Sequence, residues 1–390
     1  MKWRYPLSDV DLGKEEEREV LRVLRSGWLS TGPVTERFEK AFSEFLGGGE
    51  AIAVSNGTAA LHLALASLRI EEGDEVIVPS FTFVATANAV LYNGATPVFA
   101  DIRGLKDLNI SPREIEKKIT RKTKAIVVMH YGGYPCEMDS ILRIARRHDI
   151  AVVEDAAHAP GSEYRGKRCG TIGALGCFSF FSNKNLATGE GGLVFTRDKA
   201  LAERVRTMRS HGMKALSWDK YRGHFSSYDI EILGYNYRTA EIQSALGIIQ
   251  LKKLERNNRR RERLVKAYRE GLQGVPGILI PFGAFKGDYS NHLFSIAVGD
   301  ERGMRSPDQR TQVMQQLKDW GIQTSIHYPP VHLFSLYRER FGLEEGMLPK
   351  TEEASLREIT LPLHPGMRVK DVKWIVEKVR KALGDCVYPK

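Results

Sequence analysis

The chain has 390 residues, of which 42% are hydrophobic, and it carries a formal net charge of +10 at pH 7. This length allows one large core and a smaller lobe, so two domains are expected. No apolar run is long enough to cross a bilayer, and no apolar signal-peptide core precedes the charged segment Lys14–Arg18. We therefore exclude a membrane span and expect a globular protein of the cytoplasm.

Cysteine content and charge restrict the chemistry further. Four cysteines (Cys136, Cys169, Cys177 and Cys386) are too scattered for a disulfide framework or a zinc pair, so we expect reduced thiols and no metal site. The densest basic cluster, residues 259–263, falls in a helical pattern and contains an acid, which is typical of a solvated helix face. Charge alone does not choose between nucleic acid and phosphorylated small molecules as partners.

The first half of the chain predicts a wrapped sheet. Two helices are expected at Lys14–Ser26 and Val34–Leu46, with the glycines at 47–49 ending the second. Short apolar runs then alternate with helical patterns, which is typical of parallel strands joined by crossover helices. The predicted strands are Ala51–Val54, Glu75–Val78, Thr96–Ala100, Ala125–His130, Ala151–Glu154, Cys177–Phe181 and Gly192–Thr196. A ligand of such a sheet binds at the carboxyl ends of its strands.

The second half predicts a long helix and a small lobe. The helix runs from Ala240 to about Gly271, and Val275–Gly277 breaks the pattern in the manner of a connection between domains. Strands are expected near His292–Val298, Thr324–Tyr328 and Ile359–Leu363, and helices near Asp308–Trp320 and Val369–Leu383. We place a large domain at residues 1–255 and a small domain at residues 256–390.

Lys184 ends an apolar run that turns abruptly into small and polar residues, within residues 176–192. A partly buried lysine loses its proton near neutral pH, because desolvation disfavours the ammonium form, and the free amine can then form a Schiff base with a carbonyl compound. For a lysine considered alone, a surface position is the simpler interpretation. Other features of the chain favour the reactive one.

Two of these features are a helix start and an acidic strand end. Gly57 and Thr58 follow a strand and open the helix Leu61–Leu68, where free amides and the helix dipole can bind a phosphate; the alternative is a plain N-cap by Ser55 or Thr58. Asp155 ends another strand, and its carboxylate could keep the pyridine nitrogen of a ring cofactor such as pyridoxal phosphate protonated. His158 could hydrogen-bond the phenolic oxygen of the same ring. A helix cap and a buried structural histidine are the simpler alternatives.

Two aromatic segments complete the pattern. Phe83 lies in a strand-to-helix turn and could stack on a flat heterocycle, although such aromatics more often belong to a core. Residues 234–238 form a polar and aromatic loop before the long helix. A capped turn is its simpler explanation.

Taken together, these motifs resemble the DegT/DnrJ/EryC1/StrS family of aminotransferases, which depend on pyridoxal phosphate and act on keto-sugar nucleotides. The resemblance covers nearly the whole chain. It is carried by residues 26–33, 57–59, 154–158, 178–184, 189–192, 236–238 and 327–329. It implies fold type I: a large domain with a mostly parallel seven-stranded sheet, and a small C-terminal α/β domain.

The resemblance also implies roles for individual residues. Lys184 forms the internal aldimine, Asp155 pairs with the pyridinium, His158 lies near the phenolate oxygen and Phe83 stacks on the ring. The phosphate is held by Gly57, Thr58, Ser179 and, from the partner subunit, Asn236. A homodimer with shared active sites is therefore expected.

The predicted reaction is a transamination in which an amino acid, for which we favour L-glutamate, supplies nitrogen to a keto-sugar nucleotide. Arg238 is a candidate for the donor carboxylate, because a guanidinium can bind it through two hydrogen bonds, and the resemblance makes His327 a candidate for the sugar or its diphosphate. The run 327–334, with Tyr337 and Arg338 after it, resembles enzymes that aminate C4, which favours a 4-keto-6-deoxy sugar as the acceptor. Alternatives are a basic regulatory or nucleic-acid-binding protein on the same fold, and another pyridoxal phosphate enzyme acting on amino acids.

Overall fold

A computed structural model describes residues 3–213, 229–285, 287, 289–300, 303–304, 306 and 308–387, with side chains as far as residue 384. Cys136, Cys169 and Cys177 are buried free thiols. The side chain of Cys386 lies outside the described residues.

The strands form one large sheet and three small ones. In chain order they are β1 (Glu50–Val54), β2 (Glu75–Pro79), β3 (Thr96–Ala100), β4 (Ile102–Gly104), β5 (Asp107–Ile110), β6 (Thr123–Met129), β7 (Ala151–Asp155), β8 (Glu163–Tyr164), β9 (Lys167–Arg168), β10 (Leu175–Ser179), β11 (Gly192–Thr196), β12 (Ile278–Leu279), β13 (Phe294–Val298) and β14 (Glu358–Leu361). The seven-stranded sheet has the order β1-β11-β10-β7-β6-β2-β3. Only β11 is antiparallel to its neighbours there. The mostly parallel seven-stranded sheet is confirmed, and all seven strands predicted for it belong to it.

The described helices are α1 (Lys14–Ser26), α2 (Pro33–Phe45), α3 (Gly57–Ser67), α4 (Ala85–Tyr92), α5 (Pro112–Lys118), α6 (Met138–Arg147), α7 (Lys199–Arg209), α8 (Glu241–Leu272), α9 (Gln309–Asp319), α10 (Ser335–Phe341), α11 (Pro349–Arg357) and α12 (Val369–Val387). None of them combines the length and apolarity needed to cross a bilayer. No cluster of three His, Cys, Asp or Glu side chains in the described part of the chain could hold a metal ion.

The large sheet is covered on both faces, which is why its strands are apolar throughout rather than alternating. Val76 and Val78 of β2 pack in a cluster with α3 and α4. Ile77, between them, points to the opposite face and packs in a cluster with α5 and α6. Because helices cover both faces, the carboxyl ends of the strands are where a ligand can reach the sheet.

The long helix α8 changes its packing partners along its length. Leu254 belongs to a cluster with Phe38 and Phe42 of α2. Leu264 and Tyr268, further along, belong to the cluster beneath the small sheet β12-β13-β14. The division at residue 255 remains a prediction, and this change of partners supports it.

Four features differ from the sequence-based expectations. The turn 275–277 leads into β12, which pairs with β13, so it joins two elements packed on the same small core. Residues 324–328 are not a strand and make only an isolated bridge from Ser325 to Thr360, because side chains occupy the backbone groups of His327. Arg261, expected on a solvated helix face, is 3% exposed because the long helix is covered there. The short helices α10 and α11 were not predicted.

Candidate active site

A cavity of about 840 Å³ opens at the carboxyl ends of β1, β2, β7 and β10, where the sheet meets the segment 326–334. Parallel strands bring the ends of distant chain segments to one edge of the sheet. Eight of the ten predicted site residues line this cavity: Gly57, Thr58, Phe83, Asp155, His158, Ser179, Lys184 and His327.

Lys184 and Asp155 come from adjacent strands. Asp155 is the last residue of β7 and is in register with Cys177 of β10, and the chain leaving β10 reaches Lys184 a few residues later. Burial lowers the pKa of Lys184 to about 8, against an opposing attraction from the Asp155 carboxylate. Far more of this amine is therefore uncharged near neutral pH than for an ordinary lysine, as a nucleophile or a base requires.

One hydroxyl and one backbone amide fix the Asp155 carboxylate, and a second hydroxyl supports the first. Thr86 donates a hydrogen bond to Oδ2 at 2.8 Å, and the Ala157 amide donates to Oδ1 at 3.2 Å. Because Thr86 uses its proton for Asp155, it accepts from Thr82, whose hydroxyl lies 2.9 Å away. Burial raises the pKa of Asp155 above its ordinary value, while the bond from Thr86 opposes that rise. A cation placed against this carboxylate would be strongly stabilised.

The start of α3 and Ser179 form an anion-binding corner. Asn56 caps the helix by accepting from the Ala59 amide at 2.8 Å, so neither Ser55 nor Thr58 is the cap. The amides of Gly57 and Thr58 are among the first of the helix, which have no intrahelical partner. A Cβ at Gly57 would lie 2.7 Å from the Ser179 Cβ. Glycine is therefore needed to bring these amides beside the Ser179 hydroxyl.

His158 is buried, and both of its ring nitrogens are occupied. Nδ1 accepts from the Gly132 amide at 3.3 Å, so the proton is on Nε2 and is donated to the Tyr328 hydroxyl at 2.9 Å. Burial lowers the pKa of His158 well below its ordinary value, which keeps the ring neutral. The hydroxyl of Tyr328 keeps its own proton for the cavity.

Asn236 and Arg238 are the two predicted site residues that do not line the cavity of their own chain. Asn236 is exposed, and its backbone bridges Ser210. Arg238 is partly buried, and burial together with Arg209 lowers the pKa of its guanidinium.

Sequence reasoning did not single out Thr82, Thr86 or Tyr328 as site residues. The two threonines stand four residues apart, Thr82 directly after Phe81 and Thr86 in the first turn of α4, and this spacing was a usable signal. Nothing in the sequence pairs Tyr328 with His158, because 170 positions separate them.

The geometry suits pyridoxal phosphate. The cavity offers a buried carboxylate for the ring nitrogen, an amine of lowered pKa for the aldehyde, and free helix amides with a serine hydroxyl for the phosphate. These groups lie in one cavity, as a single flat cofactor requires.

Comparison with known proteins agrees with this chemistry. Residues 10–380 match the model of the DegT/DnrJ/EryC1/StrS aminotransferase family. The chain is 42% identical over 377 residues to the spore coat polysaccharide biosynthesis protein SpsC of Bacillus subtilis, covering 96% of each sequence.

Solved structures give the same result. PseC of Helicobacter pylori, an aminotransferase of pseudoaminic acid biosynthesis, superposes with a TM-score of 0.90 at 33% identity, covering 98% of this chain and 99% of PseC. The PLP form of the putative sugar aminotransferase Spr1654 of Streptococcus pneumoniae gives a TM-score of 0.89 at 30% identity, covering 97% and 98%. The chain belongs to the DegT/DnrJ/EryC1/StrS family and is a pyridoxal-phosphate-dependent aminotransferase of fold type I.

Proposed function

We propose that the enzyme transfers an amino group from L-glutamate to a keto-sugar nucleotide, with a 4-keto-6-deoxy sugar as the favoured acceptor, for the biosynthesis of polysaccharide, lipopolysaccharide or glycoside. The observation that carries the proposal is the placement of the Lys184 amine and the Asp155 carboxylate in one cavity, with Asp155 at the end of β7 and Lys184 in the segment that follows the adjacent strand β10. The relatives support the sugar: PseC acts in the biosynthesis of pseudoaminic acid, and SpsC acts in that of a spore coat polysaccharide. The net charge of +10 suits an acceptor that carries a diphosphate.

Both halves of the reaction require the chain to move a proton to or from the reacting carbon of the substrate. The bound cofactor supplies an aldehyde that takes up the amino group and a protonated ring that draws electrons from the reacting carbon. Lys184 Nζ removes the proton from the α-carbon of the donor and later returns a proton to the sugar carbon that receives nitrogen. Asp155 holds the ring nitrogen protonated, and Thr86 holds Asp155.

The other predicted residues bind the remaining parts of the cofactor and the substrates in this proposal. Gly57, Thr58 and Ser179 hold the phosphate, and Phe83 covers one ring face. His158 serves the phenolic oxygen, which requires it to exchange its present bond with Tyr328. Arg238 serves the donor carboxylate once the dimer has formed, and His327 serves the sugar or its diphosphate.

A homodimer is part of the proposal. Asn236 is exposed and absent from the cavity of its own chain, as a residue destined for the partner's phosphate site would be. Leu233, three residues before it, is 78% exposed, and Phe83 at the cavity mouth is 59% exposed. Covering this apolar surface would stabilise the dimer. We expect the dimer to work in the cytoplasm.

The test is to convert the holoenzyme to its pyridoxamine form and to mix it with a panel of keto-sugar nucleotides. The expected result is that one of them, a 4-keto-6-deoxy sugar nucleotide, restores the aldehyde absorbance and gains nitrogen by mass spectrometry. Oxo acids such as 2-oxoglutarate serve as the control, because they reverse the donor half-reaction. If oxo acids restore the absorbance and no sugar nucleotide does, the acceptor class is wrong.

A further inference from the structure

A buried polar cluster lies behind the cavity wall, on the small sheet. Glu358 and Thr360 stand two positions apart on β14, so both side chains point to the same face. Each is 1% exposed. The segment carrying His327 runs beside β14 and is held there by paired backbone hydrogen bonds between Ser325 and Thr360.

His327 is fixed at three points by this cluster. Its backbone amide donates to Glu358 Oε2 at 2.8 Å, and its carbonyl accepts from the Tyr131 hydroxyl at 2.6 Å. Its ring Nδ1 lies 2.9 Å from the Thr360 hydroxyl oxygen. Since His327 lines the cavity and Nδ1 is used behind the wall, Nε2 is the ring nitrogen left for a substrate.

The Thr360 hydroxyl touches both Glu358 Oε1 and His327 Nδ1, but it has one proton to donate. If Glu358 is ionised, Thr360 donates to it, and Nδ1–H of His327 donates to Thr360. If Glu358 is protonated, it donates to Thr360, and Thr360 donates to a bare Nδ1. The ring proton of His327 is therefore on Nδ1 in the first state and on Nε2 in the second.

We propose that Glu358 is a positioning residue which, through the Thr360 hydroxyl, sets the tautomer of His327 and so decides whether its Nε2 presents a hydrogen-bond acceptor or a donor to the substrate. The two states differ by the one proton that Glu358 gains from solvent or loses to it. In passing from ionised to protonated Glu358, the His327 ring gives up its Nδ1 proton and takes one on Nε2. The ring stays neutral throughout.

The surroundings suit such a switch near neutral pH. Burial raises the pKa of Glu358 to about 7, and burial together with Lys184 lowers the pKa of His327 to about 4. No salt bridge holds Glu358 ionised within the described residues. The titratable and charged groups that act on the two residues are Tyr131, Tyr328, Arg310, Lys184, His158 and His292. The Tyr131 hydroxyl, whose pKa is raised well above its ordinary value, stays protonated.

The consequence for catalysis rests on the proposed function. A keto-sugar nucleotide presents hydroxyls, which can donate to a bare Nε2, and carbonyl or phosphate oxygens, which accept from Nε2–H. The protonation state of Glu358 would then decide which of these substrate groups His327 binds, and the change would occur at the pH where Glu358 titrates.

The primary test does not need a substrate. The holoenzyme is labelled with ¹⁵N-histidine, and the ring nitrogens are followed by NMR from pH 5.5 to 8.5 at roughly half-unit steps. The chain has 10 histidines, and the signal of His327 is assigned by its absence in His327→Asn. The expected result is a change from Nε2–H to Nδ1–H as the pH rises, half complete near the Glu358 pKa of about 7. A single tautomer across this range in the wild type would overturn the proposal.

Three variants separate the switch from a structural effect. Glu358→Gln offers an amide that donates to Thr360 at every pH, so His327 should keep the proton on Nε2 throughout. Thr360→Val removes the connecting hydroxyl and should abolish the change, whereas Thr360→Ser restores it. A tautomer change in Glu358→Gln that matches the wild type, or in Thr360→Val that matches Thr360→Ser, also rejects the proposal.

A second measurement connects the switch to turnover. The KM for the accepted sugar nucleotide should change across pH 7 in the wild type and lose that step in Glu358→Gln, while the donor half-reaction keeps its pH profile. An NMR switch without any accepted sugar nucleotide would leave the tautomer mechanism intact and reject the proposed function. Turnover of a sugar nucleotide without a tautomer change in the NMR spectra would support the proposed function and reject the tautomer mechanism.

Discussion

The two ends of the active-site cavity are built differently. At the closed end, Asp155 and Lys184 line the cavity, and hydrogen bonds from Thr86 and the Ala157 amide of the same chain fix the Asp155 carboxylate. The open end, made of Phe83, Phe181 and Glu190, is exposed, and Asn236 lies outside the cavity altogether. One chain therefore fixes the part of the site to which we assign proton transfer, and in the proposed homodimer a second chain would complete the open end.

This difference follows from where each end lies. The closed end lies between adjacent parallel strands, where burial shifts the pKa of both Lys184 and Asp155. The open end consists of turns beyond the strand ends, which lie at the surface. Chemistry that depends on desolvation belongs at the first location, and recognition of a large polar substrate belongs at the second.

The largest effect is expected at the closed end. Lys184→Ala should abolish both half-reactions, since loss of general acid–base catalysis alone costs roughly 10²- to 10⁴-fold. Borohydride reduction followed by peptide mapping should place a pyridoxyl group on Lys184 in the wild type and on no peptide of the variant. Lys252→Ala, an exposed lysine of α8, is the control and should keep full activity. Equal labelling in Lys184→Ala would mean that another lysine holds the cofactor.

Asp155→Asn should still bind the cofactor but lose most transamination. The lost charge-assisted contact costs about 1.5–3 kcal/mol in binding, and the catalytic loss should be greater because the ring nitrogen is no longer held protonated. Cofactor affinity and single-turnover rates of both half-reactions measure the two effects separately. Turnover close to that of the wild type would show that a different carboxylate faces the ring.

A complementation experiment tests whether the open end is shared. Asn236→Ala should weaken cofactor binding by roughly 1–2 kcal/mol through a lost phosphate contact. Mixing Asn236→Ala with Lys184→Ala and allowing re-association should restore about a quarter of wild-type activity, since half of the dimers are mixed and each has one intact site. Mixtures no more active than the average of the parents, or a monomer in solution, would show that each chain completes its own site.

The smallest effect concerns the support of Asp155. Thr86→Val removes the hydroxyl that donates to Oδ2 and should reduce the transamination rate by roughly fivefold, corresponding to about 1 kcal/mol for one hydrogen bond. Thr86→Ser keeps the donor and should remain close to the wild type. If Val and Ser behave alike, the closed end does not depend on this bond.

The periodicity of the sequence was sufficient for the large sheet, because strands buried on both faces are apolar throughout and lie between clear helical patterns. The same reasoning failed at residues 324–328, which have an equally strand-like composition. There, Glu358 and Tyr131 occupy the amide and the carbonyl of His327, so these groups are not available to a neighbouring strand. A local sequence pattern cannot show that side chains from another part of the chain will bond the backbone groups that a strand would need.

The sequence by itself determined which types of reactive residue the site contains and their order along the chain. These are a lysine after one strand, an aspartate at the end of another, and a glycine-threonine turn at the start of a helix. Motifs of this kind are local, so composition and spacing preserve them. Only the tertiary structure decided that Thr86 holds Asp155, that Tyr328 meets His158, and that Thr360 links Glu358 to His327. Thr86 and Asp155 are 69 positions apart in the chain, Tyr328 and His158 are 170 apart, and Thr360 and His327 are 33 apart. Their meeting depends on how strand ends and the small sheet pack in space, which no window along the chain contains.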